Sequence, residues 1–318
     1  MNRTEIYTIL EKSQSFLNKK QILKLQNILK ELENNNKVIP SNEELLNLFK
    51  TAKSVEGCSP KSLKYYVYIL NGFINKIDKS ADNITTDDIR NYLDNISNNI
   101  SRVSLDNIRR VISSYFSWLE QEDYIRKNPV VRIHKIKAIK TIKKTYTDEN
   151  VETLIDNCNS LRDKAIVELL QSTGIRVGEL VKLNISSLDF NNKECIVLGK
   201  GGKQRRVYFD SKTKLHLMKY IDSRIDNNDA LFVSLLKPYN RLQISGVEIM
   251  LRKLGKKLNI DKVHPHRFRR TLATKAIDKG MPVEQVQILL GHAKIDTTMH
   301  YAIVDQTNVK NSYRKFIG

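Results

Sequence analysis

Five side chains able to handle protons or phosphate oxygens lie in three separated segments of the C-terminal half of the chain. His266 and Arg269 are three positions apart in HPHRFRRTLAT, and His292 precedes Tyr301 by nine positions in LLGHAKIDTTMHY. Far upstream, Arg176 stands two positions after the glycine of STGIRVGEL. Groups this distant in sequence act together only in a fold that brings the three segments to one place.

The charge balance indicates a polyanionic partner. The chain has 318 residues, enough for two domains with separate cores. It carries 54 Lys and Arg against 35 Asp and Glu, a formal net charge of +19, and its isoelectric point is near 9.7. Nucleic acid is the usual partner of such a chain, but a Lys- and Asn-rich composition from an AT-rich genome gives the same excess. Charge alone therefore names no function.

Cysteine usage and hydropathy favour a soluble protein of the reducing cytoplasm. Cys58, Cys158 and Cys195 are far apart and odd in number, and no CxxC pair or Cys/His cluster suggests zinc or a disulfide framework. The N-terminus lacks the apolar core of a signal peptide, and no apolar run approaches the length of a membrane helix. We expect a cytoplasmic protein that needs no metal and no cofactor.

The N-terminal part predicts helices. Residues 1–37 are expected to form a helical extension, and residues 38–131 a helical domain with Trp118 in its core rather than on a base-stacking platform. The helices of that domain are expected at 42–55, 60–78, 86–95 and 103–122. Their starts are marked by capping residues, which are Ser41, Ser59 before Pro60, and the cluster Thr85–Asp88.

Residues 146–318 predict a second domain that is mostly α with a small sheet. A helix follows Thr147, and another runs from Leu161 to a stop at Gly174. ECIVLGKGGKQRRVYF predicts two short strands joined at residues 199–202. Three features are expected further on: helices capped by Ser211 and Ser245, a short strand ALFVS between them, and a helix with Pro282 at its first position.

These motifs resemble the tyrosine recombinase (phage integrase) family, whose signature is Arg, Lys, His-x-x-Arg, His or Trp, and Tyr in that order. Order and internal spacing agree over about half of the chain. The resemblance implies a C-shaped clamp, in which a helical core-DNA-binding domain and an α+β catalytic domain grip opposite faces of duplex DNA. It implies site-specific recombination through a 3′-phosphotyrosine and a Holliday junction, in integration or excision of a mobile element or in resolution of DNA.

The resemblance also implies a role for each matching residue. Arg176 and Arg269 would clamp the scissile phosphate, because guanidinium groups hold two phosphate oxygens without losing their proton. Tyr301 would be the nucleophile, and its ordinary pKa near 10 means that its proton must be taken up. Lys200, in the GKG-x-K pattern of residues 199–203, would protonate the departing 5′ oxygen.

The remaining predicted catalytic groups are histidines and an acid. His266 lies three residues before Arg269, on the same helix face, and His292 follows a glycine. Either can exchange a proton or donate a hydrogen bond near neutral pH. Glu179, three residues after Arg176, matches an acidic residue that often supports the family's active site. Arg270 departs from the pattern, since the family commonly has His there; it either touches phosphate or pairs with an acid such as Glu179.

A basic linker at residues 132–145 separates the two domains. We interpret it as a strap across the DNA backbone rather than a solvated tether. Its candidate DNA-binding residues, to which Arg270 is added, are Arg132, Lys135, Lys137, Lys140, Lys143 and Lys144.

Two other functions share parts of this pattern. A type IB topoisomerase uses a similar constellation as a monomer, and a non-catalytic DNA-binding protein would keep the charge without needing Tyr301. The helical first domain and the LGH-to-Tyr spacing favour the recombinase. Recombination then predicts double-stranded DNA as the partner and four copies of the chain on paired sites. The tail, whose apolar residues are Val309, Tyr313, Phe316 and Ile317, is either donated to a neighbouring copy, with the first three as the expected contacts, or packed on its own domain.

Overall fold

The computed structural model describes most of the chain as two compact units. Described are residues 3–34, 40–138, 144–199, 202, 204–292, 295–299, 313–314 and 317, without the side chains of 3–7, 30–34, 296 and 297. Unit 1 is Met1–Thr141 and unit 2 is Ile142–Gly318. The boundaries of the predicted extension, helical domain and linker, at residues 37, 131 and 145, stay predictions.

The described part of unit 1 is helical. Its helices are α1 (Arg3–Ser13), α2 (Lys19–Asn34), α3 (Asn42–Val55), α4 (Pro60–Ile77), α5 (Thr86–Ser97) and α6 (Arg102–Gln121). The predicted caps are confirmed: the side chain of Ser41 accepts from the Glu44 N–H, that of Ser59 from Ser62 and that of Thr85 from Asp88. Each satisfies a backbone donor that the first helical turn leaves without a partner.

An aromatic cluster forms the core of unit 1. The rings of Phe49 and Tyr115 lie edge to face with centroids 5.3 Å apart, and Trp118, which is 5% exposed, packs on Phe49 at 5.5 Å. The prediction that Trp118 belongs to the core is confirmed. Ile136 of the predicted linker packs against this core, and its N–H donates to Asp106 Oδ1 over 3.0 Å. The first residues of the linker are therefore fastened to unit 1.

Unit 2 combines helices with a small antiparallel sheet. Its helices are α7 (Asp148–Asp156), α8 (Leu161–Thr173), α9 (Val177–Leu180), α10 (Ser211–Asp222), α11 (Ile244–Lys257), α12 (Pro265–Asp278), α13 (Val283–Leu290) and α14 (Ile295–Met299). Its strands are β1 (Leu188–Asp189), β2 (Glu194–Leu198) and β3 (Gln204–Tyr208), in the order β1-β2-β3. The predicted pair of strands is confirmed, with Cys195 opposite Val207.

Helix α8 is the centre of unit 2. Ala165, Ile166, Val167, Leu169 and Leu170 are fully buried, because α10 and α12 both pack against this helix. A helix covered on more than one side needs apolar residues around most of its circumference. Its end at Gly174 therefore lies deep in the domain, next to the segments that carry the candidate site.

Several local predictions for unit 2 were wrong. The cap of α10 is Asp210, whose carboxylate accepts from the Thr213 N–H at 2.8 Å, rather than Ser211. Ser245 lies inside α11, which begins at Ile244, and Pro282 is the residue before α13. β1 was not predicted. The segment ALFVS is not a strand. Its backbone pairs with irregular segments through isolated bridges, and the N–H of Leu231 donates to Leu183 O.

Candidate active site

The end of α8 positions the first candidate residue. Gly174 ends the helix with φ +59°, and a Cβ at this position would lie 2.8 Å from Leu272 Cδ2 and 3.3 Å from Leu290 Cδ2. The lack of a Cβ at Gly174 therefore allows both its left-handed backbone conformation and the close approach of α12 and α13. Two residues later Arg176 stands as the residue before α9, with its side chain 32% exposed.

Arg269 is held between two helix ends. It lies on α12 and is 2% exposed, its Nη1 donates to Gly174 O over 2.8 Å, and its Nη2 donates to Leu290 O. These are carbonyls at the C-terminal ends of α8 and α13, which lack helical partners and carry partial negative charge. The buried guanidinium is thus fixed by the backbone of two different elements.

Arg176 and a further arginine share one carboxylate. The backbone N–H and Nη1 of Arg176 each donate to Glu179 over 2.9 Å. Arg205 of β3 donates from Nη1 and Nη2 to the two oxygens of Glu179, over 2.8 and 2.7 Å. Burial raises the pKa of Glu179, but hydrogen bonds from Arg205 and the Arg176 backbone outweigh it and bring the pKa to about 2. Glu179 is therefore ionised and links the two arginines.

Three consecutive carbonyls at the end of α13 accept from three different arginines. Leu289 O accepts from Arg205 Nε over 3.1 Å, and Gly291 O from Arg176 Nη2 over 3.1 Å. Leu290 O, between them, accepts from Arg269. Segments that are far apart in sequence are in this way gathered around the LLGH motif.

Gly291 is required for this arrangement. Its φ is +64°, and a Cβ there would lie 2.8 Å from Arg205 Cδ and 3.1 Å from Arg205 Nε. The glycine of LGH thus leaves room for an arginine side chain, besides ending α13.

The two candidate histidines lie in a positive environment. His292 is buried, and its Nδ1 lies 2.8 Å from Thr298 Oγ1. Burial, and then the charges of Arg269, Arg176 and Arg205, lowers its pKa to about 4. His266 is exposed, and desolvation followed by the charges of Arg269 and Arg176 lowers its pKa as well. Both shifts favour the neutral form of the imidazole.

The cluster carries excess positive charge. Arg176, Arg205 and Arg269 contribute three positive charges and Glu179 one negative charge, so the sum is two positive charges while the histidines are neutral. Arginine pairs with phosphate oxygens in bidentate fashion. An anion with two oxygens to share, such as a phosphodiester, fits this charge.

The structure brings together five of the predicted site residues: Arg176, Glu179, His266, Arg269 and His292. Four others lie outside the described residues: Lys140, Lys143, Lys200 and Tyr301. Three side chains of the predicted strap, Arg132, Lys135 and Lys137, are exposed in unit 1. Lys144 is exposed in unit 2, where Arg270 Nη1 donates to its carbonyl over 2.9 Å.

Sequence reasoning missed Arg205. The strand period could have revealed it, because Arg205 and Val207 lie on the same face of β3 and Val207 is fully buried. Arg206, on the opposite face, has a side chain that is 64% exposed and pairs with Glu194. An arginine on the buried face of a strand needs a partner, and Glu179 is that partner.

The described residues show neither a metal-binding cluster nor a membrane-spanning helix. They contain no group of three or more His, Cys, Asp or Glu side chains that could hold a metal ion. None of the described helices has the length and apolar character needed to cross a membrane.

The depressed pKa of His292 predicts a pH-dependent stability. At pH values between its ordinary pKa of 6.5 and about 4, the unfolded chain binds a proton that the folded chain does not. The free energy of unfolding therefore decreases as the pH is lowered through this range, by about 3 kcal/mol in total. In His292→Gln this loss is absent, and the free-energy difference between the wild type and the variant should shrink from pH 6.5 to 4. Chemical denaturation at each pH measures it. His134→Gln, an exposed site in unit 1, is the control, and parallel curves for His292→Gln would contradict the assignment.

Comparisons with known proteins place the chain in a family. Residues 144–308 match the model of the phage integrase family, and residues 45–126 match that of the phage integrase N-terminal SAM-like domain. The tyrosine recombinase XerA of Pyrococcus horikoshii is 31% identical over 281 residues, which are 86% of this chain and 94% of that protein. The tyrosine recombinase XerC of Leptospira interrogans is 34% identical over 213 residues, 64% of this chain and 68% of that protein.

Solved structures share the fold. The XerH site-specific recombinase bound to a palindromic difH substrate, in a post-cleavage complex, is 19% identical with a TM-score of 0.70, covering 96% of this chain and 93% of that one. A Tn1549 transposon integrase in complex with a circular intermediate DNA is 18% identical with a TM-score of 0.68, covering 85% and 98%. With the matched family models and relatives, these findings show that the chain belongs to the phage integrase family and is a site-specific tyrosine recombinase, a DNA strand transferase.

Proposed function

We propose that the cluster around Arg176 and Arg269 binds the scissile phosphate of duplex DNA and that Tyr301 attacks it. The observation that carries this proposal is the attachment of three arginines to the consecutive carbonyls of Leu289, Leu290 and Gly291. Anchored guanidinium groups need little reorganisation when charge develops on a phosphate, which makes them effective in stabilising a transition state.

The geometry of the two arginines supports the proposed phosphate clamp. Arg269 is anchored by Gly174 O and Leu290 O, whereas the side chain of Arg176 is one third exposed and reaches solvent. The two non-bridging oxygens of a phosphodiester would be shared between these guanidiniums. His292 and His266 would donate to the same oxygens or exchange a proton. The phosphate charge opposes the arginines that lower the histidine pKa values, so DNA binding would raise them.

The proposed reaction has two transfers. The Tyr301 oxygen attacks phosphorus as its proton is taken up by a base such as His266, the bond to the 5′ oxygen breaks, and Lys200 gives that oxygen a proton. The products are a 3′-phosphotyrosine and a free 5′ hydroxyl, with the number of phosphoester bonds unchanged. A 5′ hydroxyl from a partner strand then attacks the phosphotyrosine and releases Tyr301. Exchanges of this kind, made in pairs through a Holliday junction, recombine two sites.

We infer DNA-binding roles for both units and for the linker. Residues 38–131 are the proposed core-DNA-binding domain, residues 132–145 the linker, and residues 146–318 the catalytic domain, with residues 1–37 as an extension. The linker supports this proposal because the basic side chains that the structure describes there are exposed. Arg270 next to Lys144 would add a phosphate contact beside the clamp.

Pairing of two DNA sites implies an assembly. We propose four copies of the chain on two sites, in a cytoplasmic reaction that serves a mobile element or the resolution of DNA. The C-terminal tail would be donated to the neighbouring copy. Tyr313 supports this, since it is 58% exposed, whereas Val309 and Phe316 lie outside the described residues.

Tyr301→Phe tests the nucleophile. The variant should bind its site as the wild type does and form no covalent adduct on a nicked suicide substrate, because the attacking oxygen is gone. Denaturing gels measure the adduct, and mass spectrometry maps it. Tyr313→Phe removes only a hydroxyl and keeps the apolar ring of the tail, so it is the matched control and should still form the adduct. An adduct that persists in Tyr301→Phe would contradict the assignment.

Lys200→Ala tests the proton donor. The variant should cleave a normal phosphodiester slowly, by about 10²-fold or more, and a 5′-bridging phosphorothiolate at nearly the wild-type rate, because sulfur leaves without a proton. Single-turnover cleavage of both substrates measures the difference. Lys203→Ala is the control; if it alone shows the rescue, the role belongs to Lys203. If Lys200→Ala cleaves both substrates equally slowly, Lys200 contacts phosphate and does not protonate the leaving oxygen.

Truncation after Asp305 tests the assembly and separates recombinase from topoisomerase. Binding to one site should be preserved, whereas synapsis and strand exchange should be lost, because the apolar residues of the tail are removed. Gel-shift and recombination assays on one-site and two-site DNA measure both. Unchanged exchange would show that the tail packs on its own domain. Efficient relaxation of plasmid without a target site, and no exchange by the full-length chain, would favour the topoisomerase.

A further inference from the structure

Glu179 accepts four hydrogen bonds, two from each of its arginine partners. Its Oε1 accepts from Arg176 Nη1 and Arg205 Nη1, over 2.9 and 2.8 Å. Its Oε2 accepts from the Arg176 N–H and Arg205 Nη2, over 2.9 and 2.7 Å. A carboxylate has about four acceptor positions, so Arg205 occupies half of them.

The two arginines differ in what else they face. The side chain of Arg205 is 12% exposed, and its Nε donates to Leu289 O. All three of its guanidinium nitrogens therefore donate to protein atoms. The side chain of Arg176 is 32% exposed. Arg205 is therefore placed to neutralise the carboxylate, while Arg176 keeps a surface for a ligand.

We propose that Arg205 is a positioning residue for strand cleavage: by neutralising Glu179 and holding the end of α13, it leaves the charge of Arg176 available to the scissile phosphate. The inference rests on the proposed function of the cluster. Of the two ion pairs that the structure describes for the buried carboxylate of Glu179, only the one with Arg176 would remain without Arg205. The Arg176 guanidinium would then be drawn towards Glu179, and its attraction for phosphate would fall.

Arg205 also fastens a hairpin to the site. β2 and β3 pair over five residues each, and the segment that joins them contains Lys200. The bonds from Arg205 to Glu179 and to Leu289 O attach β3 to α9 and α13. A single side chain on β3 thus connects the strand pair of the proposed proton donor to the phosphate clamp.

A double-mutant cycle distinguishes this role from general support of the fold. Arg205→Gln should cleave a nicked suicide substrate at least about tenfold more slowly, with DNA affinity changed by less than about threefold, because one guanidinium contact to phosphate is weakened. Adding Glu179→Gln should restore much of the rate, since the uncompensated carboxylate is gone. Arg206→Gln, on the exposed face of the same strand, is the matched control and should cleave normally.

Arg205→Lys keeps the charge and loses the two-pronged contact, so its rate should lie between those of the wild type and Arg205→Gln. If Arg205→Gln fails to fold, as thermal unfolding would show, the same comparison is made with Arg205→Lys and with Arg205→Lys/Glu179→Gln. Cleavage by Arg205→Gln at the wild-type rate would overturn the inference. So would a double variant that cleaves no faster than the single Arg205 variant from which it was made. Failure of the wild type to form any adduct through Tyr301 would instead overturn the proposed function.

Discussion

The backbone carbonyls at the end of α13 are the interaction on which the site depends. Helix ends leave carbonyls without partners, and here Leu289, Leu290 and Gly291 use theirs to bind arginines from β3, α12 and the start of α9. Residues that lie in three distant parts of the sequence are ordered by one helix terminus. The left-handed glycines at 174 and 291 make the close approach of these elements possible.

Electrostatics links this arrangement to the chemistry. The cluster contains three arginines and one carboxylate, Glu179, so the site keeps a positive excess that a phosphodiester can neutralise. Burial, together with this excess, lowers the pKa of His292 and favours its neutral form. A base that is neutral in the empty site and gains affinity for protons when phosphate arrives is suited to proton exchange during strand transfer.

Local sequence signals predicted the helices well where a single side chain decides the start. Ser41, Ser59 and Thr85 cap their helices as expected, because a cap is a contact between residues three positions apart. The same reasoning placed the start of α10 at the wrong cap, since Asp210 and Ser211 are adjacent and both can cap. The short strand β1 and the irregular ALFVS segment depend on partners elsewhere in the chain, which local patterns do not contain.

The candidate site shows the same division. Motif order sufficed to predict that Arg176, Glu179, His266, Arg269 and His292 act together, and the structure groups them. Arg205 was missed because its partners, Glu179 and Leu289, are far away in sequence and no motif names it. The roles of Lys200 and Tyr301 rest on motif position, since both lie outside the described residues.

Arg176 and Arg269 are proposed to hold the scissile phosphate together. The most direct measurement is a crystal structure of the full-length Tyr301→Phe chain with duplex DNA containing a site recovered by sequencing the protein's own cleavage products. We predict one phosphate whose two non-bridging oxygens lie within hydrogen-bond distance of the Arg176 and Arg269 guanidiniums, with Glu179 still bound to Arg205. A DNA complex in which the phosphates contact Lys144 and Arg270 but leave Arg176 and Arg269 without a phosphate oxygen would contradict it.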